Sequence, residues 1–147
     1  MSQQTQQFHQ TSRAKAEATG NEEASTTISL GEFQNVDTLT LSEAALVIGA
    51  IVEKRQHNNK LNHTEMLSKT IDYLDAFSRF KNKQSVEAIE RLLSSRKEFH
   101  NFERAQLGSL CCETAEEAKT LIPSLTDKIS DEDLQYILEE MYNMMPK

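Results

Sequence analysis

The residue types able to do chemistry are few and scattered along this chain. Four histidines stand at His9, His57, His63 and His100. No two are four residues apart, and no His-Glu-x-x-His run occurs, so a helical zinc site is not expected. His9 falls in a polar leading segment, and His57 and His63 border a polar loop. His100 follows Arg96 and Lys97, poor company for a general base. The two cysteines are adjacent, Cys111 and Cys112. Neighbours in sequence rarely reach disulfide geometry, and two thiols cannot close a zinc site. Cys111 ends an apolar helical face and reads as a small buried hydrophobe rather than a nucleophile. The acidic run Asp131-Glu132-Asp133 lacks the glycine and the distant bidentate glutamate of a calcium loop. It reads as acids placed at a helix N-terminus, where the helix dipole favours them. No catalytic residues, metal or cofactor are expected.

One stretch does interleave aromatics with cations: Phe77-Ser78-Arg79-Phe80-Lys81-Asn82-Lys83. Arg79, Lys81 and Lys83 could meet phosphates while the rings stack on bases. The competing reading places Phe77 and Phe80 on a core-facing stripe, with the cations extending into water. The first reading makes the chain a free-standing RNA- or DNA-binding adaptor that uses residues 79–104, where seven cations face four acids.

Composition narrows the field further. The 147 residues hold 16 Lys and Arg against 23 Asp and Glu, a net charge of −7, which argues against bulk electrostatic binding to nucleic acid. The length suits one domain with a tail. Four glycines and two prolines are too few for an all-β fold, so an all-α fold is expected. The N-terminus has no basic and apolar signal pattern, and the longest apolar run, residues 44–52, is far shorter than a membrane span. A soluble intracellular protein without membrane contact is the expectation.

Residues 1–27 are rich in Gln, Ser and Thr and are expected to form a disordered polar tail. In residues 28–41, Ile28-Ser29-Leu30, then Val36, Thr38 and Thr40, alternate with period two and suggest extended chain. With no second long strand to pair with, its backbone groups need another partner, either this chain's own helices or a second protein. Six helices follow. Thr40 and Glu43 form a capping box that opens the first. Leu46 and Val47 make that helix apolar almost all round, so it should be covered on more than one face. Asn62 with Glu65 opens the second, striped by Met66, Ile71, Tyr73, Leu74, Phe77 and Phe80. Asn82 or Ser85 caps the third, with Val86, Ile89, Leu92 and Leu93 on one face. Phe99, Phe102, Ala105, Leu107 and Leu110 mark the fourth. Thr114 with Glu117 opens the fifth, which Pro123 ends. Ser130 with Asp133 opens the sixth, striped by Leu134, Ile137, Leu138 and Met141.

Several stretches taken together carry a resemblance. Phe77-Ser78-Arg79-Phe80-Lys81-Asn82, Phe102-Glu103-Arg104-Ala105-Gln106-Leu107, Glu113-Thr114-Ala115-Glu116-Glu117-Ala118-Lys119 and Leu121-Ile122-Pro123-Ser124-Leu125 resemble the family of fourth subunits of eukaryotic RNA polymerase II. Leu30-Gly31-Glu32-Phe33, Leu41-Ser42-Glu43-Ala44 and Asp131-Glu132-Asp133-Leu134-Gln135 fit the same family, and the likeness covers residues 28–143. The resemblance implies a non-catalytic, all-helical subunit in which residues 62–147 form a bundle of the HRDC type. It implies a nuclear protein, able to shuttle to the cytoplasm, that pairs with a seventh subunit bearing a tip domain and an S1/OB-fold domain. The pair would form a stalk beside the clamp and the RNA exit path of the core polymerase, support initiation, contact nascent RNA and bear on mRNA export and decay. Residues 28–61 are then expected to dock that partner, through Ile28, Leu30, Phe33, Leu39, Leu41, Ala45, Ile48 and Val52.

Overall fold

The computed structural model describes residues 20–146; most of the polar leading segment, residues 1–19, lies outside them. The described chain is helical, apart from two short strands, β1 (Glu23–Ala24) and β2 (Ile28–Ser29). The helices are α1 (Leu41–His57), α2 (Glu65–Phe77), α3 (Lys83–Ser94), α4 (Asn101–Leu110), α5 (Ala115–Leu121) and α6 (Asp131–Asn143). Single 3₁₀ turns stand at Gly31–Phe33 and Pro123–Leu125.

The helix ends follow local chemistry. Thr40 Oγ1 accepts from Glu43 N–H at 3.2 Å, and the Glu43 carboxylate accepts from Thr40 N–H at 2.7 Å, the full capping box. Asn82, Thr114 and Ser130 cap α3, α5 and α6 in the same sense. The second helix starts later than expected: Thr64, not Asn62, accepts from Leu67 N–H. The fourth is capped by His100, whose Nδ1 accepts from Phe102 N–H at 3.1 Å. That role leaves Nε2 to donate to Gln34 O at 3.0 Å. His100 thus ties the leading segment to the bundle.

The core lies among α3 to α6. Phe80, Ile89, Leu93, Phe99, Leu107, Leu125 and the whole α6 stripe of Leu134, Ile137, Leu138 and Met141 are buried there. Burying one such side chain contributes roughly 1.5–3 kcal/mol, so this cluster anchors the fold. The predicted Phe77/Phe80 stripe separates, because α2 stops at Phe77 and Ser78 turns extended. Phe80 enters the core at 2% exposure while Phe77 stays 56% exposed. α1 leans on this body and touches α2, α3 and α4. Its entry is pinned by polar contacts: Phe80 N–H donates to the buried Ser42 Oγ at 3.0 Å, and Leu41 N–H to Ser109 Oγ at 3.1 Å. α1 and α4 meet at Gly108, where an added Cβ would stand 2.5 Å from Thr40 Cγ2 and 3.2 Å from Leu93 Cδ1.

The extended segment differs from the expectation. β2 has a partner within the chain: Glu23 pairs with Ser29 and Ala24 with Ile28, antiparallel. The strand supplying those partners lies inside the stretch read as tail, so ordered backbone begins before residue 28. Past β2 the chain does not run as a strand. Gly31, at φ +56°, enters the 3₁₀ turn, where a left-handed conformation favours glycine. Gln34 then closes a loop by accepting from Leu30 N–H at 2.7 Å and donating to Ile28 O at 3.2 Å. Thr38 Oγ1 donates to Asn101 O at 2.7 Å, and Asn101 Nδ2 donates to Val36 O at 3.3 Å. Of the two partners expected for these backbone groups, this chain's own helices or a second protein, the first in part supplies them, so hydrogen-bonding demand alone does not call for added strand pairing.

Candidate protein-docking surface

The groups able to do chemistry remain apart. His57 and His63 are exposed in or beside the α1–α2 loop, and His100 serves as a cap. Among the described residues, no three of His, Cys, Asp and Glu are grouped to hold a metal ion. Burial pushes the Cys111 thiol up to about 11, against a lowering influence from Arg79, and burial likewise raises Cys112. Both thiols are therefore protonated at neutral pH and poorly nucleophilic. Cys111 also ends α4 in the left-handed region at φ 51°, where it closes the helix by donating its N–H to Leu107 O. The acids at the start of α6 sit where the dipole favours them. Lys119 reaches across to Asp131 and to Ile129 O.

Of the three cations proposed for nucleic acid, two engage neighbouring groups of this chain. Lys81 Nζ closes the end of α2, donating to Asp75 O at 2.6 Å and Ser78 Oγ at 2.9 Å. Lys83 pairs with Glu87 at 3.6 Å. Arg79 is exposed, beside a groove lined by Tyr73, Phe77 and Phe102. Phe80 is buried and cannot stack on a base, whereas Tyr73 and Phe77 pack ring to ring, with centroids 4.7 Å apart.

Apolar surface gathers around the start of α1. Leu39 is 53% exposed and Phe33 52%. Leu39 lines both grooves that flank α1. One groove, of about 420 Å³, runs between α2 and α4 over Leu41, Tyr73, Phe77, Phe102 and Leu110. The other, of about 680 Å³, runs between α1 and α3 over Ala45, Leu46, Val47, Gly49, Ala50 and Val86. α1 is not covered all round by its own chain: Val47 and Ile51 remain 45% and 43% exposed. Of the residues expected to dock a partner, Phe33 and Leu39 are open, and Leu41 and Ala45 line the grooves. Ile28, Leu30, Ile48 and Val52 are half-buried within this chain. Val47 and Ile51, outside that set, are the large apolar residues of α1 that stay open.

The sequence reading also missed Glu103. It has no solvent exposure, yet its carboxylate accepts from His100 N–H at 2.7 Å, from Ser124 Oγ, and from Lys128 Nζ at 2.7 and 2.9 Å. One side chain thus joins the start of α4 to the 3₁₀ turn and the loop before α6.

Comparison with known proteins adds the following. The RNA polymerase Rpb4 family model matches residues 38–145. The DNA-directed RNA polymerase II subunit rpb4 of Schizosaccharomyces pombe (strain 972 / ATCC 24843) is 49% identical over 123 residues, 82% of this chain and 90% of that protein. The DNA-directed RNA polymerase II subunit 4 of Arabidopsis thaliana is 34% identical over 115 residues, 76% of this chain and 82% of that protein. The RPB4 subunit of Saccharomyces cerevisiae (strain ATCC 204508 / S288c) is 55% identical over 78 residues, 53% of this chain but 35% of that protein.

Proposed function

Since this chain belongs to the RNA polymerase Rpb4 family, we propose that it is an accessory, non-catalytic subunit of RNA polymerase II. In this reading it works in the nucleus, associated with the polymerase core, and pairs with the seventh subunit, which brings a tip domain and an S1/OB-fold domain. The pair forms the stalk beside the clamp and RNA exit path. There it supports initiation and contacts nascent RNA, and it moves with transcripts towards export and decay in the cytoplasm.

The observation that carries the subunit reading is the family match over residues 38–145, and the pairing is supported by uncovered apolar surface beside α1, where Leu39, Val47 and Ile51 are each more than 40% exposed. Scattered exposed hydrophobes are ordinary, but Leu39 and Val47 line one groove and Ile51 follows Val47 one turn on along α1, and grouped apolar exposure of this kind marks an interaction surface. The docking set is Ile28, Leu30, Phe33, Leu39, Leu41, Ala45, Ile48 and Val52, extended by Val47 and Ile51. The half-buried members shape the surface, and the open ones supply area to be covered.

Affinity purification from the source cells tests it. The intact chain should bring down the largest polymerase subunits together with an S1-fold protein. Leu39 lies outside the core, so Leu39→Asp should fold normally. Burying a large apolar side chain is worth roughly 1.5–3 kcal/mol, so this variant and Phe33→Asp should each retain about a tenth or less of the S1-fold protein. Undiminished recovery with both variants would place the interface elsewhere.

A further inference from the structure

Gly49 stands at the middle of the 17-residue α1. A glycine there weakens the helix, because it loses more backbone freedom on folding than alanine. Nothing within the described chain asks for it: its φ lies outside the left-handed region, and an added Cβ would meet no atom within 4 Å. Ala45 and Ala50 flank it along the α1–α3 groove, and Val86 lines the facing wall on α3. From Ala45 to Glu53 the α1 wall extends about 12 Å at 1.5 Å per residue; the small residues Ala45, Gly49 and Ala50 share it with the larger Leu46 and Val47 and the acidic Glu53. Small side chains at a crossing let two helix axes approach closely.

The rim of the same groove is acidic. Glu43, Glu53, Glu87 and Glu90 line it with one cation, Lys83, which is paired with Glu87. The adjoining depression shares Leu39, Glu43 and Glu90 and adds Asp37 and Arg104, whose guanidinium donates to Phe99 O. An apolar floor with this charge surplus is complementary to an apolar ridge flanked by cations.

We propose that the α1–α3 groove receives a helix of the partner subunit that crosses α1 at Gly49 and carries Lys or Arg on its flanks. The proposal rests on the pairing described above and is continuous with it through Leu39 and Ala45. It assigns a shape and a charge to one part of the partner.

The test uses the purified full-length chain and the purified seventh subunit, with association measured by titration calorimetry at low and high salt. Gly49→Ala should raise the melting temperature of the free chain by about 2–4 °C while weakening association at least tenfold. A loss of binding in a more stable protein cannot come from misfolding. Glu87→Lys/Glu90→Lys should weaken association by a similar factor and flatten its salt dependence. Affinities within twofold of the unaltered chain for both variants would overturn the groove while leaving the pairing around Leu39 standing. Absence of any association would overturn both. If Gly49→Ala instead dissolves a dimer of the chain alone, the groove holds a second copy and the proposal fails.

Discussion

A Lys128→Met variant is expected to lose about 3–5 kcal/mol of unfolding free energy, the range seen when one partner of a buried ion pair is removed. Glu103 is fully buried, whereas the Lys128 side chain is 34% exposed. Some water already reaches the lysine, which places the loss nearer the lower bound. The substitution keeps most of the apolar stem, so what changes is the charge facing Glu103. Two donors remain, His100 N–H and Ser124 Oγ, but neither carries a positive charge. Glu103→Gln in the same background removes the stranded charge: its one oxygen can accept from His100 N–H, and its amide N–H can donate to Ser124 Oγ, which then accepts. The double variant should therefore recover at least half of the loss. Urea unfolding of the single and double variants measures this directly. A loss under about 1 kcal/mol for Lys128→Met would mean that Lys128 does not hold Glu103.

Gly108→Ala should cost about 1–3 kcal/mol, against the general rule that alanine strengthens a helix interior. The added methyl carbon would sit 2.5 Å from Thr40 Cγ2, with Leu93 Cδ1 at 3.2 Å. Thr40 cannot simply turn aside, because its Oγ1 caps α1 through Glu43 N–H and the residue is buried. The start of α1 must move, or the cap must break. Thr40→Ser removes the clashing methyl and keeps the hydroxyl cap. Adding it to Gly108→Ala should restore stability to within about 0.5 kcal/mol of Thr40→Ser alone. If Gly108→Ala is as stable as the unaltered protein, α1 and α4 do not approach as described.

The two glycines are opposites, and together they show what a sequence discloses. Both sit in helix interiors and look alike in one dimension. Gly108 is required by a contact with Thr40 and Leu93, far away in the chain, whereas Gly49 faces open space. Local signals were legible: the Thr40–Glu43 box, the caps Asn82, Thr114 and Ser130, and the α6 stripe depend on residues within a few positions of one another. Signals that depend on tertiary neighbours were not. Glu103 reads as a solvated acid until Lys128 and Ser124, more than twenty residues away, are brought to it. The Phe77/Phe80 pair reads as one helical face until the helix is seen to end between them. The second strand was hidden because its two residues, Glu23 and Ala24, lie in polar sequence with no β signature. That α1 keeps apolar surface open was legible in kind, since it carries more apolar residues than one interface can use. Which of them stay open depends on where α2 and α3 lie, and so Val47 and Ile51 replace Ile48 and Val52 as the exposed pair.

In the proposed pairing the open face of α1 is covered by a second polypeptide. Hydrogen exchange, followed residue by residue in the chain alone and mixed with the purified seventh subunit, tests it most directly. Amide exchange in residues 41–57 should slow at least tenfold on mixing, while the α6 core, already protected, stays unchanged. Identical exchange across α1 with and without the partner would mean that no second polypeptide covers this face.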